Sequence, residues 1–515
     1  MSIIMKSGIA ITLAGLLLFF GSFFGSSFQL TSEILQQTIS DSAHLQQIQP
    51  EATAMLNKNY SSGFTFANDF KKIVADINTK NRTAQQWDKV IYSDYTFAIT
   101  KNSTSGYIKE HNKLLLLLIV ICIFFGALLY IIPKYGLGLK GIKNNHIYFD
   151  KLNARGWVGI LIGTLLILFY IVLYWFPYYL TNWVILVDPV SRFLSGNDAS
   201  QWFLYGFLYT IAVIVMGIRM LLKYRHNTYQ QIRTGSVMFF QTALAFIIPE
   251  ILVSLNKPWY DFKNIWPLNY SFFYDYNLKN MIQAGTIGWF MLIWGIALII
   301  IAVPVLSYFF GKRWYCSWVC GCGGLAETLG DPFRQLSDKS LKAWKIERWM
   351  VHGVLAFAVV MTGTTLINYF SDYKLLGNAT NNLHQWYGFL IGSVFSGVVG
   401  TGFYPLMGNR VWCRFGCPLA AYLGMMQRFK SKFRITTNGG QCISCGNCST
   451  YCEMGIDVRA YAQRGENIVR SSCVGCGVCA AVCPRGVLRL ENGPEEGRFD
   501  SQVIVISGDK VKVKL

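Results

Sequence analysis

The chain has 515 residues, of which 53% are hydrophobic and only 14% are charged. That composition is too apolar and too poor in charge for a soluble protein of this length. The net charge of +19 comes from basic residues that cluster beside apolar runs, a pattern that reports membrane topology and argues against a nucleic-acid-binding protein.

Eight apolar runs predict eight membrane-spanning helices. The first, 8–25, follows a single Lys6 and is not succeeded by a small-residue cleavage pattern, so we interpret it as an uncleaved anchor. The others have about 18–25 residues each, enough to cross the hydrocarbon layer as a helix. They lie near 113–132, 157–177, 203–222, 237–254, 286–310, 350–370 and 386–407. The shorter run 181–191 predicts an interfacial segment.

The distribution of basic residues orients these helices. They cluster in the loops 133–156, 223–236 and 311–349, whereas 178–202 and 371–385 carry one basic residue each. The positive-inside rule therefore predicts a multi-pass protein of the bacterial cytoplasmic (inner) membrane, in contact with lipid and with both termini in the cytoplasm. Residues 26–112 then form an extracytoplasmic helical domain. The aromatic residues at 258–276 predict an interfacial belt on the same side.

Two cysteine runs near the C-terminus predict iron–sulfur clusters. Each run reads C-x2-C-x2-C-x3-C, a spacing unlike the paired cysteines of zinc sites. In two-cluster ferredoxins the fourth cysteine of each run binds the other cluster. One [4Fe–4S] cluster therefore takes Cys442, Cys445, Cys448 and Cys483, and the other takes Cys473, Cys476, Cys479 and Cys452. The segment resembles a bacterial-type two-cluster ferredoxin domain, which implies a cytoplasmic α+β domain that relays electrons. Glu453 stands where Pro is usual, a departure that removes no ligand.

A second cysteine set lies where predicted helices meet the cytoplasm. Cys316 and Cys320 stand four residues apart, as do Cys413 and Cys417, which Pro418 follows. Two predicted spans separate the pairs and return the chain to the same side, so the four thiols could converge on a third cluster or another metal. The alternative is a set of buried structural thiols. Cys322 is an extra thiol that could replace one of the four.

The order of these features resembles the NapH/NosR/CcoG-type membrane polyferredoxins over residues 286–490. The resemblance rests on W-x-C-x3-C at 314–320, two spans, W-C-x3-C-P at 412–418, and the two-cluster ferredoxin segment. It implies electron transfer between a quinone pool or redox protein partner and a respiratory pathway, often one that serves a periplasmic reductase. Gly321-Cys322 replaces the usual Pro after the first pair, and residues 26–112 lack the flavin-linking motif of the NosR branch.

Parts of the sequence are relevant to other functions. The CcoG-like resemblance motivates a maturation factor that reduces metal or thiol groups during assembly of a respiratory enzyme. A redox-driven transporter would need paired charges inside several spans, and few are present. His352 and His384 fall at opposite ends of predicted spans, so we expect no haem, and we expect no flavin. Glu250 is an intramembrane carboxylate that could take protons from a quinol or reach the interface.

The predicted organisation has seven parts. They are an anchor at 1–25, the extracytoplasmic domain at 26–112, membrane helices two to six at 113–310, a cytoplasmic loop with C-x3-C-G-C at 311–349, helices seven and eight with C-x3-C-P at 350–430, the ferredoxin domain at 431–490 and a short β tail at 491–515.

Overall fold

The structure, a computed structural model, describes residues 2–137, 154–311, 313–429, 431–438 and 441–492, with the backbone of 504–507 and 510–513. Within these residues, seven helices are long and apolar enough to span a membrane: Ile3–Phe24, Asn112–Gly136, Trp157–Trp175, Gln201–Lys223, Thr228–Ser254, Thr286–Phe310 and Leu341–Phe370. In hydrocarbon a continuous helix pairs every backbone polar group internally. The predicted mainly α, multi-pass fold is confirmed. Most of the predicted basic loop 133–156 lies outside the described residues.

The eighth predicted span, 386–407, is helical but is not among these seven. The chain continues as a helix through Ala379–Tyr387, the π-helix Gly388–Val399 and Gly400–Gly402. Its many glycine and serine residues lower its hydropathy and let neighbours approach closely. A methyl group at Gly397 would lie 2.9 Å from the Tyr174 ring. This segment therefore packs within the bundle and ends before the short helix Tyr404–Met407.

Residues 26–112 combine helices with a small antiparallel sheet. The helices are Ser32–Thr38, Ser42–Glu51, Gly63–Thr83, Thr96–Asn102 and Tyr107–Glu110. Strand Ser27–Gln29 lies between strands Asn59–Tyr60 and Thr104–Ser105. A helical domain was expected, and strands of two or three residues are too short to produce an alternating pattern in the sequence. Phe28, Leu35, Phe66 and Phe70 form its core.

This domain and the C-terminal ferredoxin segment lie at opposite ends of the helix Gln201–Lys223. At the first end, Lys101 Nζ donates to Asp188 Oδ1 at 2.8 Å and to the Ala199 carbonyl at 2.7 Å. At the other end, Met220 and Tyr224 pack against Val478 and Val482. A helix of 23 residues is about 34 Å long. Asp188 belongs to the helix Thr181–Ser195, most of which is buried against neighbouring helices. Its position at a membrane interface stays a prediction.

The loop 255–285 enters the helix bundle. Trp266 donates its indole N–H to Thr362 at 3.0 Å, and the Tyr260 hydroxyl donates to the Met291 carbonyl at 2.9 Å. Ile265 packs in the same buried cluster as Cys316 and Cys417. These aromatic residues were expected to form an interfacial belt. Non-helical backbone is tolerated at membrane depth when it is buried in protein, and these contacts bury it.

Short helices and one strand pair build the C-terminal domain. Strand Phe433–Thr437 pairs antiparallel with Leu488–Asn492, so that Ile435 lies opposite Leu490. Between them lie the helices Asn447–Thr450, Val458–Arg464 and Val478–Ala481. In the tail, Ile504–Ser507 pairs antiparallel with Lys510–Val513. The remaining helices of the described residues are Ala52–Met55, Trp87–Lys89, Pro177–Leu180, Asp275–Gln283, Trp314–Trp318, Gly321–Glu327, Asp331–Leu336, Trp412–Gly416 and Pro418–Phe429.

Candidate iron–sulfur site

The eight ferredoxin cysteines surround two small cavities. Cys442, Cys445, Cys448 and Cys483 line the first, and Cys452, Cys473, Cys476 and Cys479 line the second. The fourth cysteine of each run therefore faces the cavity formed by the other run. Among the described residues, no three Cys, His, Asp or Glu side chains converge on a position that would hold a single metal ion.

The backbone and the burial of these cysteines fit a thiolate-bound cluster. Gly446, Gly475 and Gly477 have φ of +79°, +67° and +68°, a left-handed conformation that glycine adopts without strain. Burial raises the pKa of Cys448 and Cys476 to about 12. These thiols would stay protonated at neutral pH without a cation, and iron is the cation that an iron–sulfur cluster would supply.

The second cysteine set also comes together. Cys316 lies in the helix Trp314–Trp318, Cys413 lies in Trp412–Gly416, and Cys320 and Cys417 directly precede helices. All four side chains are at most 4% exposed. All four lie in one buried cluster. Burial raises the pKa of the Cys316 thiol well above its usual value.

A fifth thiol, Cys322, lies beside Cys320. The Cys322 thiol hydrogen-bonds to Cys320. This hydrogen bond is the main reason that the pKa of Cys320 is lowered to about 6. Cys322 also lines a large cavity on the other side of the loop. The following residue, Gly323, is needed for close packing, because a methyl group there would lie 2.0 Å from the Cys316 carbonyl oxygen. The Gly-Cys-Gly-Gly sequence thus allows the loop to fold back on Cys316.

Arg410 connects the two cysteine sets. One guanidinium nitrogen, Nη1, lies 3.6 Å from Cys413 Sγ and donates to the Cys316 carbonyl at 3.2 Å. The other, Nη2, binds Glu453 at 2.9 Å. Glu453 directly follows Cys452 of the ferredoxin domain. Glu453, which stands where the ferredoxin pattern usually has Pro, therefore joins the ferredoxin domain to the second cysteine set through Arg410.

Arg410 belongs to a buried network of charges. Among the described residues it contains five cationic side chains and three carboxylates, a net of two positive charges: Arg219, Lys223, Arg233, Arg334 and Arg410 with Glu327, Asp331 and Glu453. Burial alone would raise the pKa of Glu453, but Arg334, Arg410 and Arg233 lower it to about 2. The network joins residues far apart in sequence, so no short motif reveals it.

Neutral contacts complete the attachment of the ferredoxin domain. The helix Thr228–Phe239 supplies Gln230, whose amide donates to the Cys476 carbonyl at 2.5 Å, and Tyr229, whose hydroxyl donates to the Gly475 carbonyl at 2.8 Å. Ser337 donates to the Glu453 carbonyl at 2.7 Å. The second ferredoxin cavity is therefore fixed directly against the membrane helices.

A cavity of about 690 Å³ extends from the end of the bundle near residues 26–112 to the second cysteine set. Asn197, Asp198 and Trp259 are exposed and form the rim together with Glu250, which Trp259 contacts, whereas Cys322 and the buried Cys413 line the inner, far end. Between them lie the tyrosine side chains of Tyr170, Tyr174, Tyr205 and Tyr209. Of these residues, Glu250, Cys322 and Cys413 were singled out from the sequence. The others come from separate helices and loops and share no motif.

Family models and curated proteins match parts of this chain. A model described as a 4Fe-4S dicluster domain matches residues 441–488, and one described as a 4Fe-4S binding domain matches 288–340 and 388–436. The protein YccM of Escherichia coli (strain K12) is 26% identical over 170 residues, which cover 31% of this chain and 46% of YccM.

Two further relatives are named methylamine utilization ferredoxin-type protein MauN. The one from Methylobacillus flagellatus is 26% identical over 30% of this chain and 52% of its own length, and the one from Paracoccus denitrificans is 25% identical over 31% and 56%. The chain spans about half the length of the curated relatives it matches. No solved structure matches it. Taken with the seven apolar helices and the iron–sulfur domains, these similarities fit a membrane polyferredoxin.

Proposed function

We propose that this chain is a membrane-bound electron carrier with two [4Fe–4S] clusters in its ferredoxin domain. The observation that carries the proposal is the position of Arg410, which contacts Cys413 of the second cysteine set and Glu453 beside Cys452. Electrons can then pass between the ferredoxin domain and the membrane helices without a change in domain arrangement. The ligands would be Cys442, Cys445, Cys448 and Cys483 for one cluster and Cys452, Cys473, Cys476 and Cys479 for the other.

A third cluster would fit the second cysteine set, and three observations support it. Cys316, Cys320, Cys413 and Cys417 are four buried thiols brought together by two separate segments. The adjoining charge network carries two more positive than negative charges among the described residues. Uncompensated buried charge is costly, and a cluster held by four thiolates is an anion that would offset it. The matched 4Fe-4S binding domain model covers these same segments.

The large cavity supports exchange of electrons with a quinone pool. Its volume of about 690 Å³ lies in the range of sites that take a small organic molecule. Aromatic side chains line its length, and Cys322 and Cys413 lie at its far end. A quinone bound in this cavity would have the second cysteine set at the inner end of its site. In the ferredoxin domain, Ile443 lines the first cavity and is 55% exposed. A redox protein partner could therefore reach this cavity.

A maturation factor is a second candidate, and Cys322 favours it. The Cys322 thiol lies beside Cys320 and faces the cavity. The two thiols could therefore bind a metal ion transiently or take part in thiol–disulfide exchange. The two functions differ in the effect of Cys322→Ser. A carrier would keep its rate of electron delivery, whereas a maturation factor would lose insertion of the cofactor into its client enzyme.

The test is the iron and acid-labile sulfide content of anaerobically purified protein, with EPR of the reduced form. Three clusters predict about 12 iron per chain, and Cys413→Ser/Cys417→Ser should lower this to about 8. The control is Cys122→Ser, since Cys122 lies alone in the span Asn112–Gly136. About 8 iron in the unaltered protein would overturn the third cluster, and far fewer would overturn the carrier itself.

A further inference from the structure

Glu250 is a carboxylate of the cavity rim with no cationic partner among the described residues. It lies in the helix Ile248–Ser254, is half-buried, and accepts a hydrogen bond from the Trp259 indole N–H at 3.3 Å. The other rim carboxylate, Asp198, is bound by Arg192 at 2.6 Å and lies 3.8 Å from Lys101. Of the two, only Glu250 is free of an ion pair that would hold it ionised.

We propose that Glu250 is the proton acceptor for a quinol bound in the cavity, a role that rests on the proposed function. Each quinol that is oxidised breaks two O–H bonds and releases two protons and two electrons. The electrons leave one at a time to the iron–sulfur centres, which are the oxidant. The Glu250 carboxylate takes a proton from the hydroxyl, passes it to water at the rim, and returns to its ionised form before it takes the next.

The arrangement of the cavity separates the two products. Cys322 and Cys413 lie at the far end, toward the ferredoxin domain, and Glu250 lies at the rim, toward residues 26–112. A quinol whose ring binds at the rim presents its hydroxyl to the Glu250 carboxylate, and its electrons leave toward the second cysteine set at the far end. Protons have a short route to solvent past Asp198 and Asn197, and they need not cross the tyrosine-lined region.

The charged groups around the rim define the expected pH dependence. At the rim, Asp198 is paired with Arg192 and Lys101. Lys263 lines the cavity nearer to Tyr315, whose hydroxyl donates to the Lys263 carbonyl, and binds Asp261 at 2.8 Å. These groups are already matched in ion pairs, whereas Glu250 is not. The rate of quinol oxidation should therefore rise with pH as a single carboxyl group ionises.

The experiment measures reduction of the clusters by duroquinol in the full-length protein in detergent. Stopped-flow absorbance follows the rate between about pH 4.5 and 8. We expect Glu250→Gln to slow duroquinol-driven reduction about 100-fold and to abolish its acid limb, since a positioned base contributes about 10² to 10⁴. Glu250→Asp keeps a carboxylate and should restore part of the rate. Glu110→Gln removes an exposed carboxylate outside the cavity and should change nothing.

Two further measurements keep the result interpretable. Reduction by dithionite should give the same EPR signals in every variant, which shows that Glu250→Gln folds and binds its clusters. Duroquinone should quench the tryptophan fluorescence of Glu250→Gln and of the unaltered protein with the same Kd. An unchanged rate and pH profile in Glu250→Gln, or a loss of duroquinone binding, would overturn the inference. If duroquinol fails to reduce the unaltered protein while dithionite succeeds, the proposed quinone exchange itself fails.

Discussion

The guanidinium of Arg410 binds the carboxylate of Glu453 at 2.9 Å, in a region where both side chains are at most 1% exposed. This ion pair crosses the boundary between the membrane helices and the ferredoxin domain. Glu453 also binds Arg334 at 3.0 Å, so one carboxylate is shared by two buried cations. The ionic part of the domain's attachment therefore depends on this acidic side chain.

Glu453→Gln should loosen that attachment. The variant leaves Arg334 and Arg410 without their shared carboxylate, and breaking a buried ion pair costs about 3–5 kcal/mol. We expect bleaching of the clusters at a lower temperature in detergent and faster proteolysis between the last membrane helix and the ferredoxin domain. The control is Glu466→Gln, since Glu466 pairs with Arg464 at the surface, where both side chains are 54% exposed. Equal effects of the two variants would contradict this account.

The assignment of ligands between the two ferredoxin runs can be tested with double variants. If Cys483 belongs with Cys442, then Cys442→Ser/Cys483→Ser should remove one cluster and about 4 iron. Cys442→Ser/Cys452→Ser should remove both clusters and about 8 iron. If instead each run held its own cluster, the two results would be exchanged. Iron analysis and EPR spin counting distinguish the outcomes.

Gly323→Ala should disturb the second cysteine set alone. An added methyl group would lie 2.0 Å from the Cys316 carbonyl oxygen, so the loop must move and displace Cys316. We expect loss of the iron beyond about 8 per chain, with the ferredoxin EPR signals retained. Gly353→Ala in the helix Leu341–Phe370 is the matched control, because nothing lies within 4 Å of its added methyl group. Retention of all iron by Gly323→Ala would refute the prediction.

Lys101→Met should release the domain at 26–112 from the bundle. Lys101 is 8% exposed and its ammonium binds Asp188 at 2.8 Å, so the variant strands a buried carboxylate at a cost of about 3–5 kcal/mol. Limited proteolysis should cut this domain faster. Lys80→Met breaks an exposed pair with Glu51 in the same domain and should leave the cutting rate unchanged. The prediction fails if both variants resist the protease equally.

Periodicity and spacing sufficed where function depends on residues close together in the chain. Apolar runs predicted the membrane helices because a span needs a continuous segment. The cysteine spacing predicted the grouping around the two ferredoxin cavities because three ligands come from one tight loop. The domain boundaries and the ligand roles stay predictions.

Sequence reasoning missed what depends on residues far apart in the chain. The charge network joins Arg219 to Glu453 through contacts that no local pattern encodes. The cavity is lined by residues of several helices. Trp266 contacts Thr362 inside the bundle, although the composition of its loop predicted a position at the membrane interface. The glycine residues of the eighth predicted helix explain why its hydropathy is lower than that of the other seven. They allow close packing against neighbouring helices, but they reduce the apolarity by which a span is recognised.

The cavity rim and the ferredoxin domain lie at opposite ends of the helix Gln201–Lys223. Quinol oxidation at this site would release protons at one face and send electrons toward the other, and that separation is electrogenic. Each charge moved across the full membrane works against about 2.3 kcal/mol per 100 mV. With the predicted orientation the protein would generate a membrane potential, and its turnover in sealed vesicles would slow as that potential builds and recover when an ionophore dissipates it.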